Sequence, residues 1–79
     1  MSILTLYSKP GCHLCEELRA ELDDMRAELG FDIEEIDITT DTALFERYRY
    51  DIPVVVMEGE ELGRGRIDRQ VVRARLGRV

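Results

Sequence analysis

Long apolar runs are absent from this 79-residue sequence, and so is a basic N-terminal start. Because a membrane-spanning helix needs about 20 consecutive apolar residues, no spanning segment is expected. The N-terminal apolar stretch is also too short for a secretory signal peptide, so we predict a cytoplasmic protein with no membrane partner. The length allows one domain, over residues 1–79, with a thin core.

Basic residues are scarce overall. There are 11 Lys and Arg against 17 Asp and Glu, for a net charge of −6. This balance argues against general nucleic-acid binding, which requires a basic surface. The exception is residues 61–79, where six arginines face two acidic residues. Two interpretations of this basic end stay open: it steers an anionic partner, or it is a solvated arginine-rich helix face.

Cysteine is limited to two residues, in the segment Cys12-His13-Leu14-Cys15, and this segment also holds the only histidine. Small disulfide-stabilised scaffolds carry many widely spaced cysteines. Closing a loop of four residues contributes only about 2 kcal/mol. The spacing therefore favours a chemical role for the pair over a structural one. No Ser/His/Asp set, phosphate-binding loop or paired-carboxylate site is evident.

Seven elements are predicted from the spacing of apolar residues and from Gly, Pro and capping signals. Strands are expected over residues 3–7, 31–38, 54–57 and 61–66. Helices are expected over residues 12–29, between residues 42 and 50, and over residues 69–76. In the second strand, the apolar positions do not keep a strict alternation between Ile33 and Ile36, which predicts either a bulge or an edge position. The order β-α-β-α-β-β-α predicts an α/β fold with one mixed four-stranded sheet flanked by helices.

Inward-facing residues are predicted for each helix from its periodicity. The expected stripes are Leu14, Leu18, Leu22, Met25 and Leu29 in the first helix, Leu44, Phe45 and Tyr48 in the second, and Val71, Val72 and Leu76 in the third. Asp68 is the expected N-cap of the third helix, with Ile67 and Val72 as a hydrophobic staple.

The cysteine pair is expected where a loop meets the N-terminus of a helix. Free backbone N–H groups there stabilise an anion, so the pKa of the Cys12 thiol should fall. Lys9 and a protonated His13 would act in the same direction. Cys15, one turn later on the apolar side, should be shielded and less acidic. An exposed nucleophile followed by a shielded second thiol suits two-step disulfide exchange.

Two segments carry a family resemblance. Residues 7–15, YSKPGCHLC, resemble the active-site segment of glutaredoxins, and residues 51–56, DIPVVV, resemble that family's cis-proline segment. The resemblance implies a thioredoxin-like fold, a redox-active cysteine pair and a cis bond between Ile52 and Pro53. It also implies that the Ile52 backbone pairs with the substrate's chain.

The same comparison shows departures. His13-Leu14 stands where glutaredoxins usually carry Pro-Tyr, and Arg64 stands in place of the second of two glycines. Asp51 replaces a neutral residue and could repel the carboxylates of glutathione, whereas Lys9 is retained and could bind one of them. Glutathione as a co-substrate is therefore left open, and no other cofactor is expected.

The leading prediction is a glutaredoxin-like thiol–disulfide oxidoreductase that acts as a monomer on a disulfide-containing protein or on glutathione. One alternative is metal or iron–sulfur binding by the two cysteines in a dimer, and another is a non-catalytic binding module. The predicted site consists of Cys12 as nucleophile, Cys15 as resolving thiol, and Lys9, His13, Ile52, Pro53 and Arg64 as substrate-binding residues.

Overall fold

A computed structural model describes residues 3–77 and shows one four-stranded sheet flanked by helices. The predicted order β-α-β-α-β-β-α is confirmed, with one additional 3-10 turn at Ile38–Thr40. The strands are β1 (Ile3–Ser8), β2 (Asp32–Asp37), β3 (Val54–Met57) and β4 (Glu60–Arg64), and the helices are α1 (His13–Leu29), α2 (Thr42–Tyr48) and α3 (Arg69–Leu76).

The sheet is mixed, as predicted, with spatial order β2-β1-β3-β4. β1 runs parallel to β2 and antiparallel to β3, and β3 runs antiparallel to β4. The register pairs Ser8 with Asp37, Tyr7 with Val54, and Val54 with Arg64. The last residues of β1, β2 and β4 and the first residue of β3 therefore meet at one end of the sheet.

β2 occupies an edge, which is one of the two explanations that its phase slip suggested. Its register with β1 is continuous from Asp32 to Asp37. The irregularity in the sheet lies instead between Val55 and Val56, where β3 pairs with β4. The side chains of β2 are all exposed or half-buried, so its apolar residues are under less constraint from the core.

Side chains pack on both faces of the sheet. One face carries a large core against α1 and α3, formed by Leu4, Leu6, Leu18, Leu22, Met25, Phe31, Val55, Met57, Ile67, Val72 and Leu76. The opposite face carries a smaller core of Ile38, Tyr48 and Val54, with the half-buried Tyr7, Leu44, Phe45, Ile52 and Val56 packed against it. The adjacent Val54 and Val55 lie in different cores, so β3 is covered on both faces, which is typical of a strand with a continuous apolar run.

Capping residues set the helix boundaries. Gly30 adopts a left-handed conformation (φ 73°) and ends α1, a geometry that favours glycine. The Asp68 carboxylate accepts a hydrogen bond from the Gln70 N–H at 2.8 Å, which confirms the predicted N-cap. Ile67 and Val72 are both buried in the large core, in agreement with the predicted staple.

Several predictions were wrong in detail. The second strand is Asp32–Asp37 and not residues 31–38, and Ile38 begins the 3-10 turn. Leu14 and Val71 are 36% and 47% exposed, so neither belongs to its predicted inward stripe. Each occupies an early helical position beside the buried row, which consists of Cys15, Leu18, Leu22 and Met25 in α1, and Val72 and Leu76 in α3. The fourth strand ends at Arg64 and not at Arg66, because the next residue, Gly65, turns the chain with a φ of 66°.

None of the helices within residues 3–77 has the combination of length and hydropathy that crossing a bilayer requires.

Candidate active site

The predicted site residues come from segments that meet at one end of the sheet. The loop with Lys9 and Cys12 follows β1, and Pro53 directly precedes β3. Since β1 and β3 pair through Tyr7 and Val54, these two segments are neighbours. Arg64, which pairs with Val54 in the sheet, completes the set from β4.

Cys12 is the N-cap of α1. Its backbone is extended (φ −92°, ψ 106°), and its carbonyl accepts the first helical hydrogen bond from the Glu16 N–H at 3.1 Å. Its Sγ accepts a hydrogen bond from the Cys15 N–H at 3.2 Å. The sulfur thus occupies the place where an N-cap oxygen normally accepts from the free N–H groups of a helix.

Cys15 lies one turn further along α1 and is 2% exposed, whereas Cys12 is half-buried. Cys15 is the more shielded of the two, as predicted, whereas Cys12 is half-buried and not exposed as expected. The two sulfur atoms are at disulfide distance, and the Cα atoms are 5.2 Å apart. The predicted difference in thiol pKa between the two residues stays a prediction.

Lys9 and His13 are both exposed and flank Cys12 in the sequence. Lys9 lines a groove of about 440 Å³ on the β2 side of the active-site loop. The other charged groups lining this groove are the carboxylates of Glu16, Glu35 and Asp37. Hydrogen bonds from the side chain and backbone of Thr39 lower the pKa of Asp37 below its usual value. The groove is therefore acidic, with Lys9 as its one cation among the lining residues.

A second groove, of about 300 Å³, lies on the other side of the start of α1. It is lined by the exposed Leu14, by Glu17, and by the chain between β4 and α3, including Arg66 and Asp68. The two grooves flank the cysteine pair, and neither is lined by a cysteine.

The peptide bond between Ile52 and Pro53 is cis, as the family resemblance implied. Pro53 is buried, and Ile52 is half-buried against the smaller core. The Ile52 N–H donates to the Tyr48 carbonyl at 3.2 Å. This donor already has a partner within the chain, and pairing of the Ile52 backbone with a substrate stays a prediction.

Arg64 is exposed and forms ion pairs with Asp51 and Glu61. Its hydrogen bonds to Glu61 lower the pKa of that carboxyl below its usual value. The guanidinium of Arg64 is thus engaged within the chain, which its assignment as a substrate-binding residue did not anticipate.

A polar network beside the active-site loop was missed by the sequence analysis. Ser8 is 5% exposed, and its hydroxyl donates to Glu35 Oε2 at 2.7 Å. Arg19 of α1 donates to the other oxygen, Glu35 Oε1, at 2.9 Å. The available signal was the alternation Leu4, Leu6, Ser8, which places a polar side chain on the core face at the end of β1.

The described part of the chain supplies no cluster of side chains that would complete a metal site with the cysteine pair. Within residues 3–77, no three His, Cys, Asp or Glu side chains come together in an arrangement that could hold a metal ion. Structural metal sites generally use four ligands, so the cysteine pair alone does not form one.

Comparison with known proteins establishes the family. Residues 3–77 match the Glutaredoxin-like domain family (DUF836), and the chain belongs to this family. Relatives include the uncharacterized proteins Rv0508 of Mycobacterium tuberculosis and Mb0520 of Mycobacterium bovis. Each is 30% identical over 78 residues, covering 92% of this chain and 80% of the relative.

Solved structures agree with the fold. The solution NMR structure of protein Ne2328 from Nitrosomonas europaea is 33% identical, with a TM-score of 0.82, and the match covers 94% of this chain and 89% of that one. A mutant thioredoxin from Halobacterium salinarum is 19% identical, with a TM-score of 0.71 over 95% of this chain and 71% of that one. The second likeness concerns the fold alone, and together they confirm a thioredoxin-like architecture.

Proposed function

We propose that this chain is a thiol–disulfide oxidoreductase that cycles Cys12 and Cys15 between the dithiol and the disulfide. One observation carries the proposal: Cys12 caps α1 with its sulfur, while Cys15 is buried one turn away at disulfide distance. Backbone N–H groups at a helix N-terminus favour a thiolate, and burial in apolar surroundings favours a protonated thiol. The two cysteines are thus suited to consecutive steps.

In the first step, the Cys12 thiolate attacks one sulfur of a substrate disulfide. A bond forms between the two sulfurs, the substrate S–S bond breaks, and the released substrate thiolate takes up a proton. In the second step, the Cys15 thiol loses its proton and attacks the Cys12 sulfur, which releases the remaining substrate thiol. The substrate gains two electrons, and the Cys12–Cys15 disulfide forms. An external thiol reductant then restores the dithiol.

The substrate proposed is a disulfide of a protein or a mixed disulfide of glutathione. The acidic groove beside Lys9 and the second groove beside Leu14 flank the nucleophile and are the surfaces on which such a chain would lie. We assign His13, Ile52 and Pro53 to the same substrate surface because they lie at this end of the sheet. We place the activity in the cytoplasm, where thiol pools keep cysteine pairs reduced.

A matched pair of variants tests the proposal. Wild-type protein should reduce both a small protein disulfide and a glutathione–peptide mixed disulfide, or one of them, with a dithiol as the electron source. Cys12→Ser should bring the rate down to that of the uncatalysed reaction. With the dithiol omitted, the pre-reduced Cys15→Ser variant should retain the first attack and accumulate one mixed disulfide per chain, which mass spectrometry detects and identifies.

Failure of the wild-type protein to reduce either substrate would contradict the proposal, as would unchanged turnover in Cys12→Ser. Visible absorbance after anaerobic purification, lost in both cysteine variants, would indicate instead that the pair holds a metal or an iron–sulfur cluster.

A further inference from the structure

Arg64 is the last residue of β4, and its guanidinium forms ion pairs with two carboxylates. Its Nη1 donates to Asp51 Oδ2 at 2.9 Å. Its Nε and Nη2 donate to the two oxygens of Glu61 at 2.9 and 2.5 Å. This fork geometry is specific to arginine, which presents several donors in one plane. Arg64 therefore links its own strand to the segment that precedes β3.

Backbone hydrogen bonds hold the same segment from the same side. The Gly65 N–H donates to the carbonyls of Asp51 at 3.0 Å and Pro53 at 2.8 Å. Gly65 has a φ of 66°, which the absence of a Cβ permits, and the chain turns there directly after β4 ends. The chain around residues 51–53 is thus attached to the end of β4 by one side chain and one backbone N–H.

The charges of this cluster argue against a role for Arg64 in binding a substrate carboxylate. Asp51, Glu61 and Arg64 together carry two negative charges and one positive charge, so the positive charge of Arg64 is already neutralised. A receptor for a substrate carboxylate needs a cation whose charge is free to attract it. Lys9, on the opposite side of the nucleophile, is the cation that lines the groove there.

From this arrangement, and resting on the proposed function, we propose that Arg64 is a positioning residue. It holds residues 51–53 in place beside Cys12 so that a substrate disulfide binds, and it does not bind a substrate carboxylate. Arg64 therefore affects the affinity for the substrate, and it does so equally for anionic and neutral substrates.

Steady-state kinetics on two probes separate positioning from carboxylate binding. The probes are a glutathione–peptide mixed disulfide and a mixed disulfide of the same peptide with an uncharged thiol. Arg64→Gln should raise KM about two- to fivefold for both probes, the range expected from loss of the exposed ion pair between Arg64 and Asp51, with kcat unchanged. Asp51→Asn should act alike, and the double variant should be no worse than either single one, because the two side chains form one link.

Arg73→Gln is the matched control. Arg73 is 44% exposed, against 47% for Arg64, and pairs with Glu28 at 3.1 Å, between α3 and α1. Its kinetic constants should equal those of the wild type. A KM increase in Arg64→Gln that is confined to the glutathione probe would overturn the proposal and make Arg64 a carboxylate receptor. Unchanged KM for both probes would also overturn it.

Amide hydrogen exchange provides a readout that does not depend on turnover. In Arg64→Gln, the amides of Asp51, Ile52 and Gly65 should exchange faster, while the amides of α1 exchange at the wild-type rate. In the Arg73→Gln control, the amides of Asp51, Ile52 and Gly65 should also exchange at the wild-type rate. If the wild-type protein reduces neither probe, the proposed function fails, and faster exchange still shows that Arg64 holds the segment. Unaltered exchange at these three amides would contradict the positioning role by itself.

Discussion

The two faces of the sheet differ in how they hold the two halves of the candidate site. On one face, α1 carries both cysteines and packs through Leu18, Leu22 and Met25 into the large core. On the other face, α2 and residues 51–53 rest on the smaller core, where Tyr7 and Tyr48 stack with ring centres 4.7 Å apart. The cysteines are thus placed by extensive apolar packing.

The segment around Pro53 depends on less burial and on more polar links. Only Ile38, Tyr48 and Val54 form the buried part of the core beside it, among the residues that the structure describes. The hydrogen bonds from Arg64 and Gly65 supplement that packing. The difference indicates that the cysteine pair is held rigidly, while the segment around Pro53, which we propose to face the substrate, is the part that a few substitutions can loosen.

The largest expected effect comes from opening a cavity in each core. Leu22→Ala and Ile38→Ala both truncate side chains that are 0% exposed, one on each face. Loss of a buried Leu or Ile side chain costs about 2–5 kcal/mol in the free energy of unfolding. We expect Leu22→Ala near the upper end and Ile38→Ala near the lower end, because the half-buried neighbours of Ile38 can relax into the space. Urea unfolding measures both values.

An equal or larger loss in Ile38→Ala would show that the two faces are packed alike and would remove the basis of the comparison. Ile38→Val serves as a conservative control, with an expected loss of about 0.5–1.5 kcal/mol.

A smaller effect is expected from the helix caps, which should contribute equally on the two faces. Asp68 caps α3 on the face of the large core. Asp41 caps α2 on the other face, accepting from the N–H groups of Ala43 at 2.9 Å and Leu44 at 3.2 Å. Asp68→Ala and Asp41→Ala should each lower the free energy of unfolding by about 1 kcal/mol. Thermal and urea unfolding provide the values.

Asp68→Asn and Asp41→Asn keep the acceptor oxygen and should retain most of the stability. If the asparagine variants lose as much free energy of unfolding as the alanine variants, the stabilisation comes from the carboxylate charge and not from the hydrogen bond.

The smallest expected effect is pH-dependent and concerns Glu61. Its pKa is lowered in the folded protein by hydrogen bonds from Arg64. Its ionised form therefore stabilises the fold above the ordinary pKa of a glutamate, and this stabilisation is lost as the pH falls through the lower folded-state value. The wild type should have a higher Tm than Glu61→Gln at neutral pH, and the difference should vanish in strongly acidic buffer.

Glu46→Gln, at an exposed position of α2, controls for the loss of one negative charge. A Tm difference between wild type and Glu61→Gln that stays constant across the pH range would contradict the pairing with Arg64.

Much of the fold could be predicted from local signals. The short apolar run at residues 3–7 located β1 to within one residue, and the continuous valine run gave β3 its observed bounds, Val54–Met57. Asp68 marked the start of α3 because capping depends on the residues next to the backbone groups they satisfy. The position of Cys12 at the start of α1, with Cys15 one turn later on the buried side, followed from the same local pattern.

Other features depended on contacts between distant parts of the chain. The exposure of Leu14 and Val71 depends on which helix positions the sheet covers. Periodicity alone identifies the buried row of a helix only to within one adjacent position. Asp51, one of the two partners of Arg64, lies 13 residues away in the sequence, and the partner of Ser8, Glu35, lies 27 residues away. Such pairs have no local signature, because any nearby acidic residue would satisfy the same donor.

By itself, then, the sequence determined the element order, the helix caps and the cysteine pair at a helix N-terminus, since each rests on hydrogen bonding and periodicity within a few residues. Tertiary structure alone decided that the Cys12 loop, Pro53 and Arg64 meet at one end of the sheet, because strand order and register set that meeting. It also decided that the charge of Arg64 is neutralised by Asp51 and Glu61, since opposite charges pair according to distance in space.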